Sequence, residues 1–521
     1  ELRIMATLVT GVAFLFASVL IVIIDPVHLI INYKLRLAKG SSFYEMLQHE
    51  IVGARLSVYL FNITNAERFL AGDDAKIRFQ EVGPFVFQEY RWYEDMEMSE
   101  DGKQVGMTAR VRTEFIPERS IAHPKDVNLT LLNIPMSSTS MLANFPGFVQ
   151  YAFNMVTAQL KLKPIISTDV HTYLWGYGNP LMSFFNTVAP GLVYFDKIGI
   201  LDRLYDAETE FRLVVGATDE DRFRIKSVKK TRRIDNIDSV DESVLTFSED
   251  TYEGIGYPPM LTPDMPLYIY RLGICKNFKL DFIGRQPTEY GGEGMKYTLS
   301  NETFRAGVNA SKPYPEGLVD ISKCFYEVPF VVSKGHFLDV DPKVLELIDG
   351  LKPDRNVHIN EIVIDRVSIH ITNLSFQLSI AVDDLSYNRH TKRLSNTVLP
   401  ITHIKVVSEP SARYGMVKYR PKCHESLLNY FYENSIPTIK KILSSHFHLR
   451  YRKVLQSWCS GLACENTCIG SMTQRYSHNY ETLHFINATK YFFLRKDNKL
   501  RTIILIIIFP SYCVGLVFIL L

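Results

Sequence analysis

The chain has 521 residues, of which 58 are basic and 56 acidic, for a net charge of +2. That balance, with no run of Lys and Arg interleaved with aromatics, gives no footing for a nucleic acid or a strongly acidic partner. The 28 Tyr and 32 Phe suit strands and apolar cavities better than helical arrays.

The first element is Ile4–Ile24, which carries no charged residue. At about 1.5 Å rise per residue it is long enough to cross a hydrocarbon core of about 30 Å as a helix. It exceeds the apolar core of a signal peptide, and Asp25-Pro26 follow where a small-x-small cleavage site would lie, so an uncleaved anchor is expected. The last element is Thr502–Leu521, also uncharged; Ile503–Phe509 is apolar on every face, as in a helix in lipid or deep in a large core. Two transmembrane helices, 4–24 and 502–521, would leave both termini cytoplasmic and put 25–501 on the far side. Six N-x-S/T sequons, at Asn62, Asn128, Asn301, Asn309, Asn373 and Asn487, favour an extracellular or lumenal face for that segment. The cations Lys34, Arg36, Lys39, Arg495, Lys496, Lys499 and Arg501 oppose it, but the positive-inside rule loses force for loops this long.

Within 25–501 a short helix is expected near Ser41–Gln48, then a strand at Leu56–Phe61. Asn65 is placed to cap a helix over Ala66–Leu70 that Gly72 ends. Lys76–Glu81 alternates polar and apolar, Gly83-Pro84 makes a break, and Phe85–Tyr90 continues extended, so these form a hairpin. Further alternating runs lie near Val105–Phe115, Phe211–Val215, Leu267–Tyr270, Lys296–Leu299, Val328–Val332, Ile362–His370 and Phe376–Val382. Repeated short strands with turn signals imply a large antiparallel β core. One stretch differs: Val149, Ala152, Phe153, Val156 and Leu160 recur at helical spacing between Pro146 and Pro164. Leu132–Leu142 is a candidate companion helix.

The chain has seven cysteines. Cys513 falls in the last apolar stretch as a small apolar residue. Cys275, Cys324, Cys423, Cys459, Cys464 and Cys468 are an even set, compatible with disulfides in an oxidising compartment. The spacing of Cys459, Cys464 and Cys468, with His446 and His448 upstream, fits no strong zinc pattern, so no metal is expected. No G-x-S-x-G, H-E-x-x-H or phosphate-binding glycine loop is present; after His424-Glu425, Leu428 stands where a second zinc histidine would be. The expectation is a protein that is not an enzyme and has no cofactor.

Several blocks, in order, resemble the class B scavenger receptor family, which includes fatty-acid translocases, lysosomal integral membrane proteins and insect sensory neuron membrane proteins. They are Val58–Asn65 (VYLFNITN), Glu81–Phe87 (EVGPFVF), Leu174–Tyr177 (LWGY) with Asn179–Leu181 (NPL), Gly273–Lys276 (GICK), Gly317–Cys324 (GLVDISKC), His336–Leu338 (HFL) and Asp349–Pro353 (DGLKP). The resemblance covers roughly residues 1–409 and the last apolar stretch. It implies an α+β, mainly β fold: a large antiparallel β-barrel-like ectodomain with a helical cap at about 132–165, traversed by an apolar tunnel. It implies a receptor that binds fatty acids, lipoproteins, carotenoids or similar ligands and passes them to the bilayer, since each CH₂ removed from water gains about 0.8 kcal/mol. Lys161, with Lys163 as a rival, stands where a cap lysine would engage lipid carboxylates, and Phe153, Val156 and Leu160 would line the ligand site.

Departures are visible. Only Cys275 and Cys324 remain of a cysteine set in which relatives pair these positions with others, so they either bond each other or stay free. Gly335 replaces the Pro before the HFL block, and Asp365–Ile369 replaces an acidic-Pro turn. Residues 410–495 match nothing in the family and form an atypical segment or a sequence artefact. The partners expected are lipids or lipoprotein particles at a plasma membrane. The alternative is an endosomal or lysosomal trafficking receptor that binds a protein through the cap.

Overall fold

A computed structural model describes residues 32–408 apart from the internal stretches 140–146, 184–196, 206–208, 234–239, 288–292, 306–313 and 365–368 and a few further positions, together with the backbone of 502–507 and 515–520. Residues 34–418 form one compact unit. The first apolar stretch, the segment 410–495, Asn309, Asn487, Cys423, Cys459, Cys464 and Cys468 lie outside the described residues.

Alternation of apolar and polar side chains builds most of a 16-stranded sheet. Its main path uses β1 (Ile51–Ile63), β2 (Ile77–Met98), β3 (Gln104–Phe115), β4 (Thr209–Gly216), β5 (Ile225–Arg233), β6 (Val240–Thr246), β7 (Thr251–Tyr252), β8 (Leu267–Arg271), β9 (Lys276–Pro287), β10 (Glu293–Leu299), β11 (Glu361–Ile364), β12 (Ile369–Val382) and β13 (Thr397–Val407). The spatial order is β6-β5-β4-β3-β2-β1-β13-β12-β11-β10-β9-β8-β7. This is chain order bent round so that the first and last strands meet in mid-sheet, through Leu56–Val406 and Val58–Ile404. All pairings on the path are antiparallel except β7 with β8. The barrel-like expectation needs correction at one place. Among the described residues β6 and β7, consecutive in the chain, share no ladder, and β7 meets the other edge only through the isolated bridge of Tyr252 with Arg224, which precedes β5. The sheet is mainly antiparallel and, among the described residues, not closed.

Gly83-Pro84 is also not the break expected. β2 runs through it, and the ladder with β1 shifts register between Val58 and Leu60. A Cβ on Gly83 (φ +154) would lie 2.8 Å from the Val58 carbonyl, so the bulge needs glycine. Gly350 (φ +97) has a comparable role. Ile348-Asp349 pairs in parallel with Ile77-Arg78, and a Cβ at Gly350 would stand 1.9 Å from the Phe79 carbonyl.

The short helices follow their capping signals. Ser41 caps α1 (Ser42–Leu47) by accepting from the Tyr44 amide. α2 (Ala66–Ala71) ends at Gly72 with φ +100. Asn65, expected as its side-chain cap, instead bonds Asp74, the Lys76 carbonyl and the Arg78 amide. The cap helices are α3 (Ile134–Ser138), shorter than its expected span, and α4 (Gly147–Gln159). They share a small apolar cluster of Met136, Phe153 and Leu181. The second apolar stretch is described only in part. It forms two paired strands, Thr502–Ile507 and Gly515–Leu520, not a helix. Pro510 lies between them, and β-branched Ile dominates the first; both disfavour helix. No helix among the described residues is long and apolar enough to cross a membrane.

Cys275 and Cys324 are bonded to each other, with Cα atoms 5.7 Å apart. The bridge ties the turn after β8 to the DIS turn 49 residues later. In the chain-entropy account a loop of that length stabilises by roughly 4 kcal/mol. The double substitution Cys275→Ser/Cys324→Ser is therefore expected to lower the melting temperature by several degrees and to make reducing agent without further effect, measured by thermal unfolding of the purified ectodomain.

Candidate functional site

The alternation that builds the sheet also hollows it. Leu56 on β1, Leu374 and Phe376 on β12, and Ile404 and Val406 on β13 sit at every second position and face one cavity of about 460 Å³. Phe278, Leu299, Phe304, Val332 and Ile362 continue the apolar wall. The disulfide sulfur-bearing Cys324 lines it as well. The volume lies within the range of small-molecule sites.

The lining also holds a buried charge cluster that the sequence analysis does not foresee. Glu89, Arg91 and Tyr93 share one face of β2. Arg91 pairs with Glu89 and, at 2.6 Å, with Glu253. The Tyr93 hydroxyl donates to Glu253 at 2.7 Å and the Tyr205 hydroxyl to Glu89 at 3.1 Å. Burial, with Glu89 beside it, holds the Tyr205 hydroxyl well above the usual phenol range. The two carboxylates hold the Arg91 guanidinium protonated against the cost of its burial. Gly53 makes room, since a Cβ there would meet the Glu89 carbonyl at 2.9 Å. Alternating charge and aromatic along 89–93 was the available signal.

The other cations on the cavity wall have acidic partners or further contacts. Arg110 pairs with Glu94 and Glu210, Arg112 with Glu50, and Arg203 with Asp202. Arg271, the last residue of β8, has no ion pair or side-chain hydrogen bond among the described residues. Its charge acts on Tyr205.

The cap residues divide. Phe153 is buried against Tyr387, while Val156 is half-buried and Leu160 is exposed. Lys161 and Lys163 are both exposed just beyond α4, with Lys161 in a left-handed turn (φ +51). None of these five lines the cavity. The exposed apolar face of α4 is instead Phe148, Tyr151 and Met155, which are 75, 67 and 57% accessible. Asn128 and Asn301 are exposed, whereas Asn62 and Asn373 are half-buried. Asn62 accepts from the Thr130 amide and Asn301 from Lys334.

The sequence blocks have local physical reasons. Asn179 accepts from the Leu181 amide and donates to Asn133. Trp175 packs edge-on to Phe87, with ring centroids 6.0 Å apart. Asp320 accepts from the Ser322 amide and so forms the DIS turn.

A model of the CD36 family matches residues 6–422. Scavenger receptor class B member 1 of Bos taurus is 24% identical over 405 residues, 75% of this chain and 78% of that protein. Lysosome membrane protein 2 of Homo sapiens is 22% identical over 420 residues, 76% of this chain and 83% of that protein. The ordered blocks and the family match over most of the chain agree: this chain belongs to the CD36 family, as a class B scavenger receptor.

Proposed function

We propose that this receptor gathers hydrophobic ligands at the cap and passes them to a membrane through the cavity inside its sheet. The apolar cavity walled by β1, β12 and β13 is the observation that carries the reading. Fatty acids, lipids from lipoprotein particles and carotenoids are the ligand classes. The exposed Phe148, Tyr151 and Met155 give an apolar particle a landing face, and Lys161 and Lys163 beside it steer anionic head groups. Arg271 offers the interior a cation for such a head group. The apolar ends of the chain hold the domain on a plasma membrane. The same exposed face supports a second reading, a protein partner docked on α4 in an endosomal or lysosomal membrane; the relative named Lysosome membrane protein 2 favours that site.

Uptake of a fluorescent fatty acid by cells expressing the chain tests passage. Ile404→Trp, which fills the cavity, is expected to cut uptake at least 10-fold at equal surface expression, and Arg271→Leu to cut it several-fold for fatty acids but not for neutral esters. Unchanged uptake with Ile404→Trp would refute passage through the protein.

Phe148→Asp/Met155→Asp is expected to abolish capture of lipoprotein particles without changing thermal stability, because both side chains already face solvent. Loss of protein-partner recruitment in the same variant, with lipid uptake intact, would favour the trafficking reading. Arg91→Leu leaves Glu89 and Glu253 buried with no cation between them and is expected to cost about 3–5 kcal/mol. Denaturant unfolding checks this, with Glu89→Gln/Arg91→Met/Glu253→Gln expected to recover most of the loss.

A further inference from the structure

Behind the cavity wall lies a second layer that the transport reading does not use. Leu374 and Phe376 face the cavity, and Ser375 between them faces the other way. His403, beside the cavity-lining Ile404, does the same. Residues 335–358 fold over this rear face and bring His336 and His358 against His403, all three buried. The His336 and His358 rings stack at 4.6 Å, and both stand 5.4 Å from the His403 ring.

The hydrogen bonds fix where the protons are. His403 Nδ1 lies 2.6 Å from Glu81 Oε1, and its Nε2 lies 2.7 Å from the Ser375 hydroxyl. A carboxylate only accepts, so Nδ1 carries the proton and Nε2 accepts from Ser375. His336 Nδ1 accepts from the Lys352 amide and His358 Nδ1 from the Asp354 amide, each at 3.1 Å. Their protons therefore sit on Nε2; that of His336 lies 3.0 Å from Glu81 Oε1, outside good hydrogen-bonding geometry.

This proton arrangement disposes of two other readings. The ring nitrogens of the three histidines lie within 4.8 Å of one another, close enough for a metal. The Nδ1 lone pairs of His336 and His358 are already engaged by backbone amides, so ligation through Nε2 would require imidazolates. Ser375, His403 and Glu81 also have the connectivity of an acyl-transfer triad. Ser375 is fully buried, and a Cβ on Gly335 would lie 2.5 Å from its hydroxyl, so no reacting carbonyl has a place beside it.

We propose that Glu81, His336, His358 and His403 form an acid-sensitive latch that fastens residues 335–358 to the rear of the cavity wall. Two part-buried backbone amides, of Lys352 and Asp354, are bonded to imidazole lone pairs. Protonating His336 or His358 consumes that lone pair and sets N–H against N–H. His403 differs, because the Ser375 hydroxyl can rotate and Glu81 can pair with the imidazolium. Gly335 is what lets the layer close: its absent side chain leaves room for Ser375, His403 and His358 Cδ2, the last 3.0 Å from where a Cβ would be. This explains why glycine stands where the family's block has Pro.

Burial and the neighbouring rings oppose added positive charge on His358 and His403, whereas Glu81 favours it. From β13, Lys405 adds charge and sits over the Tyr59 ring, which itself stacks on His403 from β1. From β2, Glu81 is the facing acid, and Arg78 is engaged by Asp349. From β12 the uncharged Asn373, Ser375 and Gln377 face the layer, Asn373 donating to the Val357 carbonyl and Gln377 accepting from the His336 amide. On the covering segment Asp339 is shared between Lys334 and Arg355. Burial, then the neighbouring His336 and His403, push His358 down to about 4. Burial lowers His403 too, against the pull of Glu81. Groups that titrate lower closed than open favour the closed form fully above about pH 6.5, the free histidine value, and progressively less as pH falls toward 4. From about 4 closed and about 6.5 open, His358 alone shifts the opening equilibrium about 20-fold between neutral pH and pH 5.

The inference goes beyond lipid passage and is tested apart from it, by hydrogen exchange of the full chain in detergent, corrected for intrinsic rates, at pH 7.4 and pH 5.0. Peptides covering 335–358 are expected to lose protection at least 10-fold in acid, while 105–115 stays unchanged. His336→Asn/His358→Asn keeps an acceptor for each amide with nothing to protonate, and is expected to hold the segment closed at both pH values. If the double variant does not fold, His358→Asn alone is expected to reduce the acid response. Equal protection of 335–358 at both pH values in the unaltered chain, or an acid response that survives in the variants, overturns the proposal.

Discussion

The pairing of β1 with β13 is the constraint on which the rest depends. It brings the two ends of a long meander together and makes β1, β13 and β12 the central wall. Because side chains alternate across a strand, that wall presents Leu56, Leu374, Phe376, Ile404 and Val406 to the cavity and Ser375, Gln377 and His403 to the layer behind. A slip of one residue in this ladder would turn polar groups into the cavity and apolar groups onto the histidines. Both faces are covered, so the register is specified from both sides at once.

The same constraint decided which parts of the fold were legible. β1, β3, β8 and β12 alternate visibly, because their two faces meet different surroundings. β13 is buried almost throughout and carries Pro400, so its sequence TVLPITHIKVV shows no period. β5, with Lys226, Lys229, Lys230, Arg232 and Arg233 in nine residues, reads as a charged loop; its register with β4 and β6 comes from non-local pairing. The helix over 147–159 was legible from its spacing, but its direction was not. Phe153 packs inward on Tyr387, a residue 234 positions later in the chain, which leaves Phe148 and Met155 outward. The last apolar stretch reads as a helix by hydropathy, whereas its described residues, Thr502–Ile507 and Gly515–Leu520, pair as strands.

The site was only half visible for a related reason. An apolar interior follows from composition and alternation. The charges inside it do not, because Glu89, Arg91, Glu253 and Tyr205 come from β2 and two separate connections. A charge triad beside a largely apolar cavity costs desolvation, and its hydrogen bonds to two tyrosines offset that cost. Under the proposed transport function, a polar waist beside apolar walls would give an amphiphile one favourable direction. The three histidines likewise come from separate segments, and only Gly335, an oddity in its block, hinted that something unusual packs there.

The central claim is that ligand occupies the interior of the sheet. Loading the receptor with a photoreactive fatty acid bearing its diazirine near the chain end, irradiating, and locating the adducts by peptide mass spectrometry addresses it directly. The account predicts adducts on Leu374, Phe376, Ile404 and Val406. Adducts confined to the outer surface, with none on these residues at saturating ligand, would contradict it.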